Sequence, residues 1–166
     1  MIAPQADDID KILDLPLAIA EGANTKHLVT KRYGFDGRQA DYYLEAGEML
    51  GLVRREDGLY TLSEDGKKYR RMDPTQQKLM IIRKMIATPL VSLVLGELFV
   101  SEDKKITREQ IEGMVEENTG IHGTTVGRRA QTLMSWFRWI GEETHAIHAD
   151  SNVVRLATTG SVTIER

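Results

Sequence analysis

A succession of helical apolar stripes that ends in a hairpin-like segment occurs twice along this chain, and it limits the fold more than any single motif. In the first half, apolar residues recur at helical spacing over 7–20 and 40–50, with a shorter helix between them. Strand-like alternation over 52–62 then surrounds Asp57-Gly58, a dipeptide that favours a tight hairpin turn. The first half is therefore expected to contain three helices and one hairpin.

Capping residues mark the starts of several helices. Asp36 precedes Gln39 by three positions, as Thr107 precedes Gln110, and this spacing is typical of a capping box. Pro16 leaves two interpretations of the first helix open, because proline either kinks a helix or begins a new one.

The second half begins at "MDPTQQ", residues 72–77, where Pro74 prevents the preceding helix from continuing. Further helical stripes follow, interrupted by an expected solvated turn at 101–105, and the last of them is a long helix over 124–141. Two short strand-like runs then flank the turn residues 150–152.

This order predicts a mainly α fold with small β-hairpin wings, arranged as two tandem winged helix-turn-helix domains. The first domain is expected at residues 1–72 and the second at 73–166. Each half supports this interpretation separately, because the argument uses the order of elements and needs no sequence repeat.

Composition narrows the class of protein. The chain of 166 residues contains no cysteine, which excludes disulfides, thiolate zinc sites and cysteine nucleophiles. Its N-terminus lacks the basic and then apolar pattern of a signal peptide, and its most apolar run, 89–100, is too short to span a bilayer. A cytoplasmic protein without a membrane role is therefore expected.

Positive charge is concentrated in one segment of an otherwise acidic chain. The formal net charge of -3 argues against coating nucleic acid by bulk attraction. Residues 118–141, however, contain three arginines, both tryptophans and no acid. On a helix, the following residues of this segment lie opposite the apolar stripe: Thr125, Arg128, Arg129, Thr132 and Trp136.

That polar face suits DNA recognition. In a helix-turn-helix, the second helix enters the major groove with its first turns leading. Arginine can bond two guanine acceptors, and threonine can contact phosphates or a thymine methyl group. The alternative is that the arginines are solvated charge and that the tryptophans belong to the core. We expect Trp139 to be structural, whereas the position of Trp136 stays open.

Two segments resemble a known family. "TTVGRRAQTLMSWFRWI", residues 124–140, resembles the N-terminal winged-helix recognition regions of certain type II restriction endonucleases, and "GFDGRQADYYLEAGEMLGLV", residues 34–53, is similar to the preceding winged helix in that group. The resemblance implies that the chain binds a target duplex while a separate nuclease domain cuts it. It also implies a set of DNA-contacting residues: Thr124, Thr125, Arg128, Arg129 and Thr132.

The first half offers a weaker DNA-binding surface. Its third helix presents Arg38, Gln39 and Tyr42 on the outer face, and glutamine can address adenine. Acids on the same helix would repel phosphate. Of the adjacent tyrosines, we expect one to pack and the other to be exposed. The cations of the hairpin and the helix after it, residues 54–71, either grip a DNA backbone or are solvated charge.

No catalytic constellation is found. Glu102-Asp103-Lys104 fits a magnesium-dependent nuclease motif only crudely, because it lies in an expected turn. His145 and His148 are three apart, and on a strand they would point to opposite faces without a third ligand. We therefore expect no enzyme activity, no metal site and no cofactor.

Three functions follow as hypotheses. The leading one is sequence-specific binding of double-stranded DNA as the recognition module of a restriction system, with the nuclease encoded separately or missing from this chain. The others are a stand-alone winged-helix transcription regulator and a protein-interaction scaffold. The oligomeric state, which would separate the first two, is not determined by the sequence.

Overall fold

The computed structural model describes residues 1–157, so the end of the expected second domain, 158–166, lies outside the described part of the chain. The helices are α1 (Ile9–Ala20), α2 (Lys26–Tyr33), α3 (Gly37–Met49), α4 (Glu64–Arg70), α5 (Pro74–Ala87), α6 (Pro89–Val100), α7 (Arg108–Thr119) and α8 (Thr124–Thr144). The strands are β1 (Val53–Glu56), β2 (Leu59–Leu62), β3 (Lys105–Thr107), β4 (Ile147–Ala149) and β5 (Val153–Leu156). The expectation of a mainly α fold with small antiparallel sheets is confirmed.

Local sequence signals place most helix boundaries. Asp36 and Gln39 form the expected capping box at the start of α3, and Thr107 and Gln110 form the one at the start of α7. Pro16 lies inside α1, so it does not begin a second helix.

The first hairpin follows from its turn residues. Strands β1 and β2 pair antiparallel, with Arg55 opposite Tyr60. Asp57 and Gly58 both have positive φ, 50° and 79°, as a two-residue hairpin turn requires. The amide of Tyr60 also donates to the carbonyl of Asn24 at 2.8 Å, which joins β2 to the loop before α2.

A three-stranded sheet in the second half has β5 in its centre, in the order β3-β5-β4. Val154 of β5 lies opposite Ile106 of β3 on one side and Ala149 of β4 on the other. Strand β3 is not predicted from the sequence, which indicates a solvated turn over its first residue, Lys105. A strand of three residues with one buried side chain is too short to show an alternating pattern.

Helix α8 is longer than expected. It continues past Gly141 to Thr144 and ends at His145, which has a positive φ of 57°. Gly141 is instead a site of close packing, since a Cβ there would lie 2.5 Å from the carbonyl oxygen of Ile147 in β4. The glycine therefore lets α8 and β4 approach each other rather than ending the helix.

The N-terminal segment (residues 1–8) crosses from the first half of the chain onto the second. The indole nitrogen of Trp136 donates to the carbonyl of Ala6 at 2.8 Å, and the amino group of Met1 donates to the carbonyl of Asn118 at 3.0 Å. One buried apolar cluster runs through both halves. The division into two domains at residues 72 and 73 stays a prediction.

None of the helices in residues 1–157 is by itself long and apolar enough to cross a membrane. Helices α5 and α6 reach the necessary length and composition only as a pair, and they are bent by 81° at the break between them.

Candidate functional site

A cavity of about 320 Å³, open to solvent, lies where the first turns of α3 and α8 approach the N-terminal segment. We call it the α3–α8 cleft. Polar and aromatic side chains line it: Gln5, Asp7, Gln39, Tyr42, Tyr43, Thr125, Arg128, Arg129, Gln131 and Thr132. Six of the eight residues predicted to contact DNA are among them. The other two, Thr124 and Arg38, are exposed at the starts of the same two helices.

The first turns of α8 present an uncompensated positive charge. Arg128 is exposed, and its Nη2 lies 3.4 Å from the hydroxyl of Thr125. Within residues 1–157, Arg128 forms no ion pair. Gly123 precedes the helix and supplies no side-chain cap, so the first amides of α8 add their partial positive charge at the same place.

Arg129 has a different environment from its neighbour. It is half-buried, and its Nη1 donates to the carbonyl of Ala3 at 3.4 Å. Burial lowers the pKa of this guanidinium, and the nearby Glu45 acts in the opposite direction. Helical spacing predicts that both arginines point outward, but only Arg128 is exposed, because Arg129 is half-buried and bonds to the N-terminal segment.

Two further residues of the predicted polar face are also covered. Thr132 is only 6% exposed, and its hydroxyl donates to the carbonyl of Arg128 at 3.3 Å. Trp136 is fully buried, with its only indole donor satisfied by Ala6. Helical spacing predicts an outward position for both side chains, but Thr132 is almost buried at the wall of the α3–α8 cleft, and Ala6 of the N-terminal segment bonds to Trp136. Trp136 is therefore part of the core.

The apolar side of α8 is as predicted. The residues expected to face the core are all buried: Val126, Ala130, Leu133, Phe137 and Ile140. Trp139 is partly buried against the same core, in agreement with a structural role.

Helix α3 forms the opposite wall of the cleft. Arg38 and Gln39 are exposed in its first turn, and Tyr42 is partly buried one turn later. Tyr43 is buried, and its hydroxyl donates to Asp7 Oδ1 at 3.2 Å. Burial raises the pKa of Tyr43 to about 12. One of the two tyrosines, Tyr43, packs as expected, but Tyr42 is partly buried rather than exposed.

Several residues of the site were missed by the sequence analysis. Gln5 and Asp7 come from the N-terminal segment, and no local pattern indicates where such a segment will pack. Arg108 of α7 holds α8 in place, because its guanidinium donates to Gln131 Oε1 at 2.7 Å and to the carbonyl of Gly127 at 3.1 Å. The carbonyl of Gly127 thus bonds α8 to an arginine of α7.

The basic residues of the first hairpin and of α4 are interspersed with acids and aromatic rings. Arg55 of β1 is exposed and lies over the ring of Tyr60, 5.8 Å from its centre. Lys67 of α4 pairs with Glu64 at 3.0 Å, so part of the positive charge of that helix is neutralised locally. The hairpin and α4 are a mixed surface rather than a continuous basic patch.

The two histidines considered as metal ligands are not both on a strand. His148 lies in β4, but His145 ends α8, which corrects the expectation for that residue. Among residues 1–157, no group of three or more metal-ligating side chains comes together.

The fold and the site together define a mainly helical domain with small antiparallel sheets and a polar cleft between its two halves. Residues 11–145 match a family described as a domain of unknown function, DUF7226. Because the match covers most of the chain, the protein belongs to this family. No match was found among curated proteins or among solved structures.

Proposed function

We propose that this protein binds double-stranded DNA, with the first turns of α8 in the major groove. The order of elements in the second half supports this proposal. A short strand, β3, precedes the pair α7 and α8 and joins the hairpin that follows them, which is the arrangement expected of a winged helix. The first half has no strand at the position corresponding to β3 within the described residues. Instead, the backbone hydrogen bond from Tyr60 to Asn24 joins its hairpin to the loop before α2. We therefore interpret both halves as winged helices in tandem.

The observation on which the proposal rests is the exposure of Arg128, unpaired within the described residues, beside Thr124 and Thr125 at the start of α8. A guanidinium in this position can bond the O6 and N7 acceptors of guanine. The two threonines and the first amides of α8 can contact phosphates on either side. Arg129 and Thr132 are given a supporting role here, because Arg129 is half-buried and Thr132 is only 6% exposed.

Helix α3 adds a second contact. Gln39 of α3 and Thr125 of α8 line the same cleft, so a duplex lying across its mouth can meet the first turns of both helices. One exposed acid of α3 is partly neutralised, since Asp41 pairs with Lys26 at 2.7 Å. Arg38 and Gln39 are the α3 residues that can reach DNA.

The resemblance of 34–53 and 124–140 to restriction endonuclease recognition regions favours one biological role. We propose a target-recognition module that works with a separate nuclease domain. A transcription regulator of the same fold would bind as a dimer to a palindromic site. A monomer bound to an asymmetric site is the result expected here, and sedimentation of the protein with selected duplexes measures it.

Replacement of Arg128 by alanine tests the DNA contact. Selection from random duplexes identifies a preferred site, and fluorescence anisotropy then compares that site with a scrambled one. Arg128→Ala should lower discrimination by about 1 to 3 kcal/mol, or roughly 5- to 150-fold, because one bidentate base contact is lost. Arg138→Ala is the matched control, since Arg138 is exposed on the same helix away from the cleft.

Salt dependence gives an independent measurement. Each phosphate contacted contributes a slope of about -0.9 to the plot of log affinity against log salt. The wild-type protein should show a clear negative slope. Equal discrimination in Arg128→Ala and Arg138→Ala, or affinity that does not change with salt, would exclude α8 as the DNA-contacting helix.

A further inference from the structure

The geometry of the α3–α8 cleft points to a second role, and we propose that it binds a small phosphate monoester between the two halves of the chain. This site is assigned from the cleft alone, and it does not require that the protein bind DNA. Three features of the cleft support this site: an excess of hydrogen-bond donors, more guanidinium groups than carboxylates in the lining, and the size of the cavity.

The side-chain amides of two glutamines in the cleft have their oxygen atoms bonded to protein donors, which leaves their NH2 groups as the free donors. Gln39 Oε1 accepts from the amide of Asp36, and Gln131 Oε1 accepts from Arg108, which can only donate. Each glutamine therefore keeps its NH2 group for the cleft. Among residues 1–157, neither NH2 group donates to a protein acceptor.

The two guanidinium groups add further donors. Arg128 has only the 3.4 Å contact with Thr125, and Arg129 has only the 3.4 Å bond to the carbonyl of Ala3. Within the described chain neither arginine forms an ion pair. A half-buried cation with no carboxylate at ion-pair distance is only partly compensated, and an anion in the cleft would offset that cost.

Positive groups outnumber acids in the lining of the cleft. Arg128 and Arg129 face one carboxylate, Asp7, whose Oδ1 accepts from the hydroxyl of Tyr43. Glu45 lies close enough to influence Arg129, but it is not part of the lining, and its Oε2 accepts from Gln5 at 3.2 Å. A ligand with several acceptor oxygens and a negative charge therefore fits this lining better than a cation does. A phosphate group has both properties, and arginine forks match its geometry.

The size and the walls of the cavity indicate the rest of the ligand. A volume of about 320 Å³ lies at the lower end of the range of about 300 to 1,000 Å³ for small-molecule sites. This favours a monophosphate over a larger cofactor. The partly buried ring of Tyr42 provides an aromatic surface beside the donors, against which a flat organic group can pack.

Occupation of the cleft has a consequence for DNA binding that rests on the proposed function. The ligand would use Arg128, the same side chain that we place in the major groove. A small phosphate monoester should therefore compete with the duplex, and DNA affinity should fall as the ligand is added.

Ligand binding is tested without DNA, by calorimetric titration of the full chain with adenosine monophosphate, with adenosine and with inorganic phosphate. We expect saturable binding of the monophosphate at about 1 mM or tighter, and binding of adenosine at least about tenfold weaker. The informative variant is Gln131→Glu, because its carboxylate can still accept from Arg108 while it removes the NH2 donor and repels phosphate. It should weaken binding about tenfold or more. Arg138→Gln, away from the cleft, should leave binding unchanged, and circular dichroism checks that both variants fold.

The outcomes separate the two proposals. Inorganic phosphate that binds with the same sensitivity to Gln131→Glu supports recognition of the phosphate group. Binding of the monophosphate by a protein that binds no duplex keeps this inference and removes the proposed function. Absence of saturable binding, equal affinity in Gln131→Glu, or binding of short DNA duplexes but not of adenosine monophosphate would each overturn the small-ligand site.

Discussion

Replacing Trp136 by phenylalanine should loosen the N-terminal segment from α8. Trp136 is fully buried, and its indole nitrogen donates to the carbonyl of Ala6 at 2.8 Å. Phenylalanine removes this donor and leaves a smaller ring in the core. Trp139 provides a matched control, because it lies three residues later on the same helix and is only partly buried at the edge of the same core. Within residues 1–157, its indole forms no hydrogen bond.

The expected cost of Trp136→Phe has two parts. The carbonyl of Ala6 loses its partner, which costs about 1 to 3 kcal/mol for a buried group. A void of roughly 40 Å³ adds about 1 kcal/mol at about 24 cal/mol per Å³. The free energy of unfolding should therefore fall by about 2 to 4 kcal/mol in Trp136→Phe, against about 1 kcal/mol or less in Trp139→Phe.

Urea unfolding followed by circular dichroism measures the two free energies, and hydrogen exchange locates the change. The amide of Asp8 donates to the hydroxyl of Tyr43 at 3.0 Å and should exchange faster in Trp136→Phe, since the N-terminal segment then opens more often. A loss of stability in Trp139→Phe equal to that in Trp136→Phe would refute the anchoring of residues 1–8 by this tryptophan. Unchanged exchange in that segment would refute it as well.

Two further predictions concern glycine packing and alkaline stability. A Cβ on Gly66 would overlap the backbone carbonyl of Leu52, so Gly66→Ala should lower the free energy of unfolding by about 1 to 2 kcal/mol despite the better helix propensity of alanine. Gly96→Ala meets nothing within 4 Å and should raise it by up to about 1 kcal/mol; thermal melts that show the same sign for both variants would contradict this packing. The raised pKa of Tyr43, about 12 against 10.0, means that the neutral phenol stabilises the fold below pH 10 and that this contribution is lost as the pH rises towards 12. Between these pH values the wild type should lose up to about 2 to 3 kcal/mol relative to Tyr43→Phe in urea titrations, and parallel curves would refute the assignment.

Much of the fold could be predicted because its signals are local. The capping boxes at Asp36 and Thr107 and the turn at Asp57-Gly58 each depend on residues within a few positions of one another. The strand β3 could not be predicted, because it forms only by pairing with β5 about fifty residues later. A glycine near the end of a helical stripe predicts a helix end at Gly141. Its packing against β4 cannot be recognised from the neighbouring residues.

In the candidate site, too, some positions follow from local helical spacing and others depend on contacts with distant residues. Exposure of Arg128 near the start of α8 follows from helical spacing, and the structure agrees with it. The positions of Arg129 and Trp136 depend on the N-terminal segment, which is more than a hundred residues away along the chain.

The helices, the first hairpin and the face of α8 on which each side chain lies can be predicted from the amino-acid order, because capping and periodicity act over one or two turns of the chain. Which part of that face is open to solvent depends on the packed fold, since burial requires contacts between distant segments. Here residues 1–8 bond to Arg129 and Trp136 of α8, while the first turn of that helix and the α3–α8 cleft are left accessible.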